Sequence, residues 1–253
     1  MSTAIDLTGR QALVTGASRG IGAAIARLLH AAGAGVALNH PGDAASERDA
    51  NAIAYELNAA RPASAVALAA DVADPHAVET MMRALRERVG PLDVLVNNAG
   101  ILRDRTIAKM TLDEWSNVVD VNLSGVFYCC KFGLVSMNDG GAIVNIASLS
   151  AQAGFVGQSN YAAAKAGVEG LTRVLARECA RRSIRVNAVA PGLVETSMAA
   201  SIPETTRTAM RDAIPLKRFA RPEEIAAAVL FLASPLASYV SGHVLDVNGG
   251  WRG

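Results

Sequence analysis

Aromatic side chains are scarce in this chain: two Trp, four Tyr and five Phe make up 4% of its 253 residues. Aliphatic residues must therefore fill the core, and a hydrophobic content of 51% supplies enough of them for one large domain. Cysteine is nearly missing too. Three thiols, two of them adjacent at Cys129 and Cys130, cannot form a disulfide framework, so reduced thiols in a cytoplasm are expected. The histidines His30, His40, His76 and His243 are scattered, and no His/Cys group has zinc spacing, so no metal is expected. Charge of one sign is also lacking: 24 Lys+Arg against 23 Asp+Glu leave a formal net charge of +1, which argues against nucleic acid or an anionic membrane as partner. No apolar run approaches the ~20 residues of a bilayer span. Met1–Arg10 has no basic stretch leading into an apolar one, so no signal peptide is expected there. The densest basic cluster, Arg181, Arg182 and Arg185, reads as a solvated helix end.

What is present is an alternation of short β-rich runs with longer helical patterns. Strands are expected at Ala12–Thr15, Val36–Asn39, Val66–Ala69, Val94–Asn97, Ala142–Ile146, Arg185–Val189 and Val244–Val247. Helices are expected at Ile21–Ala32, Ala44–Ala60, Pro75–Val89, Leu112–Met137, Tyr161–Arg182 and Glu223–Ala233. Apolar strands alternating with helices predict an α/β fold, a doubly wound parallel seven-stranded sheet of Rossmann type with helices on both faces. No linker-like stretch divides the chain, which predicts one domain over 1–253. Asp74-Pro75 and Arg221-Pro222-Glu223-Glu224 carry the signals of helix starts. Gly192–Leu216 holds no clean strand and suits either a lid or a plain surface excursion.

Two groups of residues carry chemistry. Directly after the first strand comes Thr15-Gly16-Ala17-Ser18-Arg19-Gly20-Ile21-Gly22, leading into an alanine-rich helix. Glycines there allow a tight turn and a close backbone approach to a pyrophosphate, and the helix N-terminus offers N–H groups and a positive dipole end. Further on, Tyr161 and Lys165 are i and i+4 on one helix face. Exchanging an alcohol proton requires an acid or base, but a free tyrosine, with a pKa near ~10, is only about one part in a thousand ionised at neutral pH. A neighbouring cation favours the phenolate, so Lys165 is expected to lower the Tyr161 pKa; a shift of roughly 3 units corresponds to about 4 kcal/mol. Ser148 follows a predicted strand at the sheet edge where such folds expose their sites, with Ser150 as the alternative two residues on.

These motifs, in this order, resemble the short-chain dehydrogenase/reductase family over essentially the whole chain. The resemblance implies a cofactor fingerprint at Thr15–Gly22, in which Gly16, Ser18, Arg19, Gly20, Ile21 and Gly22 bind the cofactor. It implies contact with the adenine through Asp71-Val72. Cofactor-lining residues are implied at Asn98, Ala99 and Gly100 of Asn97-Asn98-Ala99-Gly100, at Pro191-Gly192, and at Val194 and Thr196. It further implies a catalytic quartet of Asn122, Ser148, Tyr161 and Lys165, with Tyr161 exchanging the proton and Ser148 orienting the substrate oxygen. Lys165 would hold the cofactor ribose, and Asn122 would link the relay to solvent.

The activity expected is interconversion of a ketone and a secondary alcohol. The nearest likeness is to 3-oxoacyl-(acyl-carrier-protein) reductases; the alternative is a dehydrogenase of a small alcohol, sugar or alicyclic ketone, and the remote one a non-catalytic dinucleotide-binding protein. The substrate is expected to be a small uncharged molecule, since Ala153, Phe155, Val156, Met198 and Ile202 are small or apolar. NADP(H) is favoured over NAD(H), because the second strand ends Asn39-His40-Pro41 without an acid and Arg19 can pair with a 2′-phosphate; Asp43 is the counter-evidence. The resemblance also implies a homotetramer built on the two long helices. Finally, a carrier-protein thioester is not expected as the preferred substrate. Of two basic docking positions that the resemblance puts near the active-site mouth, Arg182 is kept, while the other falls in Ser136-Met137-Asn138-Asp139-Gly140, which has no cation.

Overall fold

The computed structural model describes residues 5–196 and 204–251. Its strands are β1 (Gln11–Val14), β2 (Gly35–His40), β3 (Ala65–Ala69), β4 (Leu92–Asn97), β5 (Met137–Ile146), β6 (Arg185–Pro191) and β7 (Val244–Val247). They form one sheet in the order β3-β2-β1-β4-β5-β6-β7, and every neighbouring pair is parallel. The helices are α1 (Gly20–Ala31), α2 (Ala44–Ala60), α3 (Pro75–Val89), α4 (Leu112–Val119), α5 (Gly125–Ser136), α6 (Ser150–Ala153), α7 (Ser159–Glu178), α8 (Glu204–Ala213) and α9 (Pro222–Ala233).

Alternate strand residues feed two separate cores, which is why the strands read as continuous apolar runs. Ala12, Val14, Val36 and Leu38 pack with Ile25 and Leu29 of α1, Ile53 of α2 and Val229 of α9. Leu13, Ala37, Leu95 and Ile143 point the other way, against Met82 of α3, Val126 of α5 and Val168 of α7. Strand order reverses between β1 and β4, so the loops leaving their C-terminal ends diverge and open a crevice.

Several expectations need correction. Helix Leu112–Met137 is broken by a π-turn at Asp120–Ser124, and β5 begins at Met137 rather than Ala142. Gly140 and the bulge opposite Leu92/Val94 had disguised that early part of β5 as a turn. The stretch Leu112–Ser136 is also 25 residues long, with an 18-residue window of mean hydropathy 1.4, so by length and composition it is apolar enough to cross a membrane. Its inner face, however, is committed to the core through Val126, Cys129, Cys130 and Gly133. Helix Tyr161–Arg182 is α7 followed by a 3₁₀ turn at Ala180–Arg182. The excursion Gly192–Leu216 contains α8, while Met198 and Ile202 lie outside the described residues.

The basic cluster is also not simply solvated. Arg182 donates to Asp139 (2.8 Å) and to the carbonyls of Leu134 and Met137. Arg185 closes the C-terminal end of α9 through Leu232 O (2.6 Å) and Ser234 O (3.1 Å), and its burial pulls its pKa down. Only Arg181 stays exposed.

Candidate active site

The glycine loop is shaped by what stands against it. Gly16 has φ +61°, and a Cβ there would lie 2.8 Å from Ala99 Cα. At Gly22 a Cβ would come within 2.3 Å of Gly16 O and 2.5 Å of Asn98 Nδ2. The loop is stapled to the end of β4: Thr15 Oγ1 accepts from Asn98 N (2.9 Å) and Ala99 N (3.0 Å), and Asn98 Nδ2 donates to Thr15 O (2.9 Å) and Gly16 O (3.1 Å). No side chain caps the N-terminus of α1. Its first N–H groups and its dipole are left for an anion, and the cradle that a Cβ would fill suits the pyrophosphate of a dinucleotide. Ser18 is buried in this loop, Arg19 is exposed at the helix start, and Ile21 packs against the core.

Asn39 is a residue the sequence reading treated only as the lack of an acid. It is buried at the end of β2. Its Oδ1 accepts from Gly16 N (3.2 Å), while Nδ2 donates to Ala70 O (2.9 Å), His40 O (3.2 Å) and Leu68 O (3.4 Å). The glycine loop is thereby tied to β2 and to the end of β3. Nothing in the sequence beyond its strand-end position signals this. Asp43 is occupied as the N-cap of α2, accepting from Ser46 Oγ (2.6 Å), Ser46 N (3.0 Å) and Ala45 N (3.1 Å), and these bonds, the Ser46 hydroxyl's first, hold its carboxyl below the usual range. Asp71 accepts from Ala73 N (2.9 Å) in the turn after β3, and Val72 is buried, 2.9 Å from where a Gly125 Cβ would stand.

The proton-transfer candidates meet beyond β4 and β5. Ser148 stands beside Tyr161, and its hydroxyl favours the ionised form of the phenol. Ser150, the alternative serine, instead donates to Gln158 Oε1 (2.7 Å), and its N–H to Ser148 Oγ (3.1 Å). Lys165 Nζ stands 5.6 Å from the Tyr161 ring centroid and donates to Ile146 O (2.7 Å). Gly100 fits between Asn122 and Lys165: a Cβ there would be 2.6 Å from Asn122 Oδ1 and 3.7 Å from Lys165 Nζ. Asn122 sits in the π-turn with Nδ2 on Val118 O and Ile101 O (both 2.9 Å), and its Oδ1 is buried with no partner. The turn widens the helix where this amide is needed. Asn160, also unforeseen, anchors the start of α7 by donating to Arg103 O (3.1 Å) and Glu114 O (3.0 Å).

The electrostatics differ from expectation at Tyr161. Burial raises its pKa, the Ser148 hydroxyl opposes that, and the charge of Asp104 adds to the rise. Lys165 is not among the causes of that shift, and burial pulls the lysine's own pKa down to about 8.

The lid side closes the arrangement. Pro191 ends β6, Gly192 N donates to Val247 O (3.0 Å), and Val194 bridges to Ala220. Thr196 Cγ2 lies 3.6 Å from where a Gly20 Cβ would be, so the excursion Gly192–Leu216 begins opposite the cradle. The chain thus brings its predicted loop, lid and proton-transfer residues to the C-terminal edge of the sheet. A cleft of about 590 Å³ at the opposite edge, beside Gly9, Gly33 and Ser64, has no part in this grouping.

A seven-stranded parallel sheet, a glycine cradle at its switch point and a buried Tyr–Lys pair beside a serine define a dinucleotide-dependent oxidoreductase. The family model described as enoyl-(acyl carrier protein) reductase matches residues 16–252. The 3-oxoacyl-(acyl-carrier-protein) reductase FabG of Vibrio harveyi is 44% identical over 248 residues, covering 97% of this chain and 98% of that one. The protein of the same name from Staphylococcus aureus (strain Mu50) is 44% identical over 243 residues, covering 95% and 97%. Among solved structures, a blue fluorescent protein from a metagenomic library in complex with NADPH superposes with a TM-score of 0.93 at 39% identity, covering 98% of this chain and 100% of that one. A glucose/ribitol dehydrogenase-type protein from Brucella melitensis gives 0.92 at 36%, covering 98% and 99%. The chain belongs to the short-chain dehydrogenase/reductase family.

Proposed function

We propose that this protein is an NAD(P)(H)-dependent oxidoreductase that interconverts a 3-oxoacyl-type ketone and a secondary alcohol, with the whole chain, 1–253, acting as one domain. The observation that carries this is the buried Tyr161 with Ser148 and Lys165 beside it, at the sheet edge that also holds the glycine cradle. A nicotinamide cofactor held by Gly16, Ser18, Arg19, Gly20, Ile21 and Gly22, by Asp71 and Val72, by Asn98, Ala99 and Gly100, and by Pro191, Gly192, Val194 and Thr196 supplies the hydride. Ser148 orients the substrate oxygen. Tyr161 gives it a proton, and the raised pKa keeps the phenol protonated at neutral pH, as reduction of a ketone requires. Lys165, held by Ile146 O beside the Tyr161 ring, would contact the cofactor ribose, and the unpartnered Asn122 Oδ1 would accept from a water that refills the relay.

The cofactor reading is NADP(H). The NADPH complex of the blue fluorescent protein, the occupation of Asp43 as a helix cap and the exposed Arg19 all favour it over NAD(H). Exposed Leu112, Trp115, Phe127 and Val135 on α4 and α5 support a homotetramer, checked by light scattering. Three buried, unpaired thiols support a cytoplasmic location. The test is Tyr161→Phe. It should keep NADPH binding and lose nearly all turnover of small ketones and thioesters; retention of a tenth of wild-type kcat would refute the assignment.

A further inference from the structure

The last described residues fold back over the base of the lid. Leu216 N donates to Gly249 O (3.2 Å), and at Gly249 (φ +69°) a Cβ would be 2.8 Å from Ile214 Cγ2. The turn brings Trp251 into a cluster with Ile214, Phe219, Leu193 and Met210, the last from α8. On its other side Trp251 meets Phe155, whose ring centroid is 5.7 Å away at an interplanar angle of 85°. Phe155 lies seven residues past Ser148, in the loop between α6 and α7. An aromatic pair therefore joins the lid to the loop that follows the candidate serine. Both rings are only partly buried.

The charges near this wall are already engaged. Arg207 pairs with Glu195 and stands 5.3 Å from the Phe219 ring, Arg218 pairs with Glu224, and Lys217 Nζ donates to Asp212 O. Among the described residues, the wall thus offers apolar surface beside cations that are already paired.

We propose that Trp251, with Phe155, is the specificity-determining surface that receives the uncharged alkyl portion of the substrate and grades substrates by its length. This rests on the ketone-reductase reading above. Each methylene buried against such a wall improves kcat/KM by about fourfold. Trp251 lies outside the glycine cradle and the proton-transfer group, so its loss should spare both.

The experiment measures kcat/KM with NADPH for a homologous series of small 3-oxoacyl thioesters in wild type, Trp251→Ala and Trp251→Phe. NADPH affinity and melting temperature are followed alongside. Wild type should show a rising slope with chain length. Trp251→Ala should flatten that slope while the shortest substrate stays within about threefold of wild type, and Trp251→Phe should restore most of it. An unchanged slope in Trp251→Ala would overturn the inference, as would an equal loss at every chain length. Loss of NADPH binding or a collapsed melting temperature would show a structural role instead, and would overturn it too. If wild type binds NADPH but reduces none of the series, the functional reading itself fails, and the inference with it.

Discussion

Lys165 should destabilise the cofactor-free protein in which it sits. Its side chain is buried, at 2% exposure, and among the described residues no carboxylate pairs with it. The fall of its pKa from 10.5 to about 8 corresponds to ~3 kcal/mol of unfavourable burial of the ammonium at neutral pH. Replacing it by methionine, of similar length, removes that cost and also removes the bond to Ile146 O, which offsets about 1–2 kcal/mol. The net expectation for Lys165→Met is a gain of about 1–2 kcal/mol, or about 2–8 °C in Tm for a chain of this size. The pH dependence has a fixed sign. A base whose folded pKa lies below its unfolded one carries its full cost below the folded value, and the cost fades as pH rises toward the unfolded value. The advantage of the variant should therefore be largest near neutral pH and should close between about 8 and 10.5. Thermal melts without cofactor at both ends of that window test this, and turnover should be lost throughout. A variant less stable than wild type at neutral pH, or an advantage independent of pH, would show that Ile146 O and the Tyr161 ring offset the buried charge in full.

Further consequences follow from the loop and the rim. Asn39→Ala leaves Gly16 N and Ala70 O without their partner, so KM for NADPH should rise about tenfold with kcat within about twofold, read by steady-state kinetics at saturating ketone. Gly22→Ala forces a methyl to 2.3 Å from Gly16 O, and fluorescence titration should show NADPH affinity reduced at least about tenfold in a folded protein. A 3-oxoacyl chain on a carrier protein should gain no large, salt-sensitive advantage over the same chain on a small thioester, because Arg182 is already paired with Asp139.

How much of this could be read in the sequence follows from how local each feature is. Strands such as Val244–Val247 and helices such as Ala44–Ala60 and Pro75–Val89 were legible to the residue, because apolar periodicity and an Asp cap fix them within a few positions. The start of β5 was not. Asn138-Asp139-Gly140 has turn chemistry, and what makes it strand is distant: Asp93 accepts from Asn138 Nδ2 (3.1 Å) and from Gln11 N (2.8 Å). The π-turn holding Asn122 has no composition of its own. The proton-transfer and cradle residues were legible as motifs, but their supports, Asn39 and Asn160, bond across elements far apart in sequence and leave no local trace. Tyr161 illustrates the same limit in energy. The i, i+4 spacing gave the pairing with Lys165 correctly, while the direction of the tyrosine pKa depended on burial that no spacing encodes.

Arg182 joins two questions that the sequence kept apart. Read as a docking cation, it was expected near the active-site mouth. In the structure it lies beyond the far end of α7, beside Met137 at the start of β5, whereas Tyr161 begins that helix at the opposite sheet edge. At 1.5 Å per residue the two are a little over ~30 Å apart along the helix. Within one copy of the chain, an acidic carrier bound at Arg182 lies a full helix length from Tyr161, at the opposite edge of the sheet. Pairing with Asp139 further weakens Arg182 as a docking cation, so Asp139→Asn should raise any salt-sensitive preference for the carrier-linked chain while leaving turnover of small thioesters unchanged, read by kcat/KM at low and moderate salt.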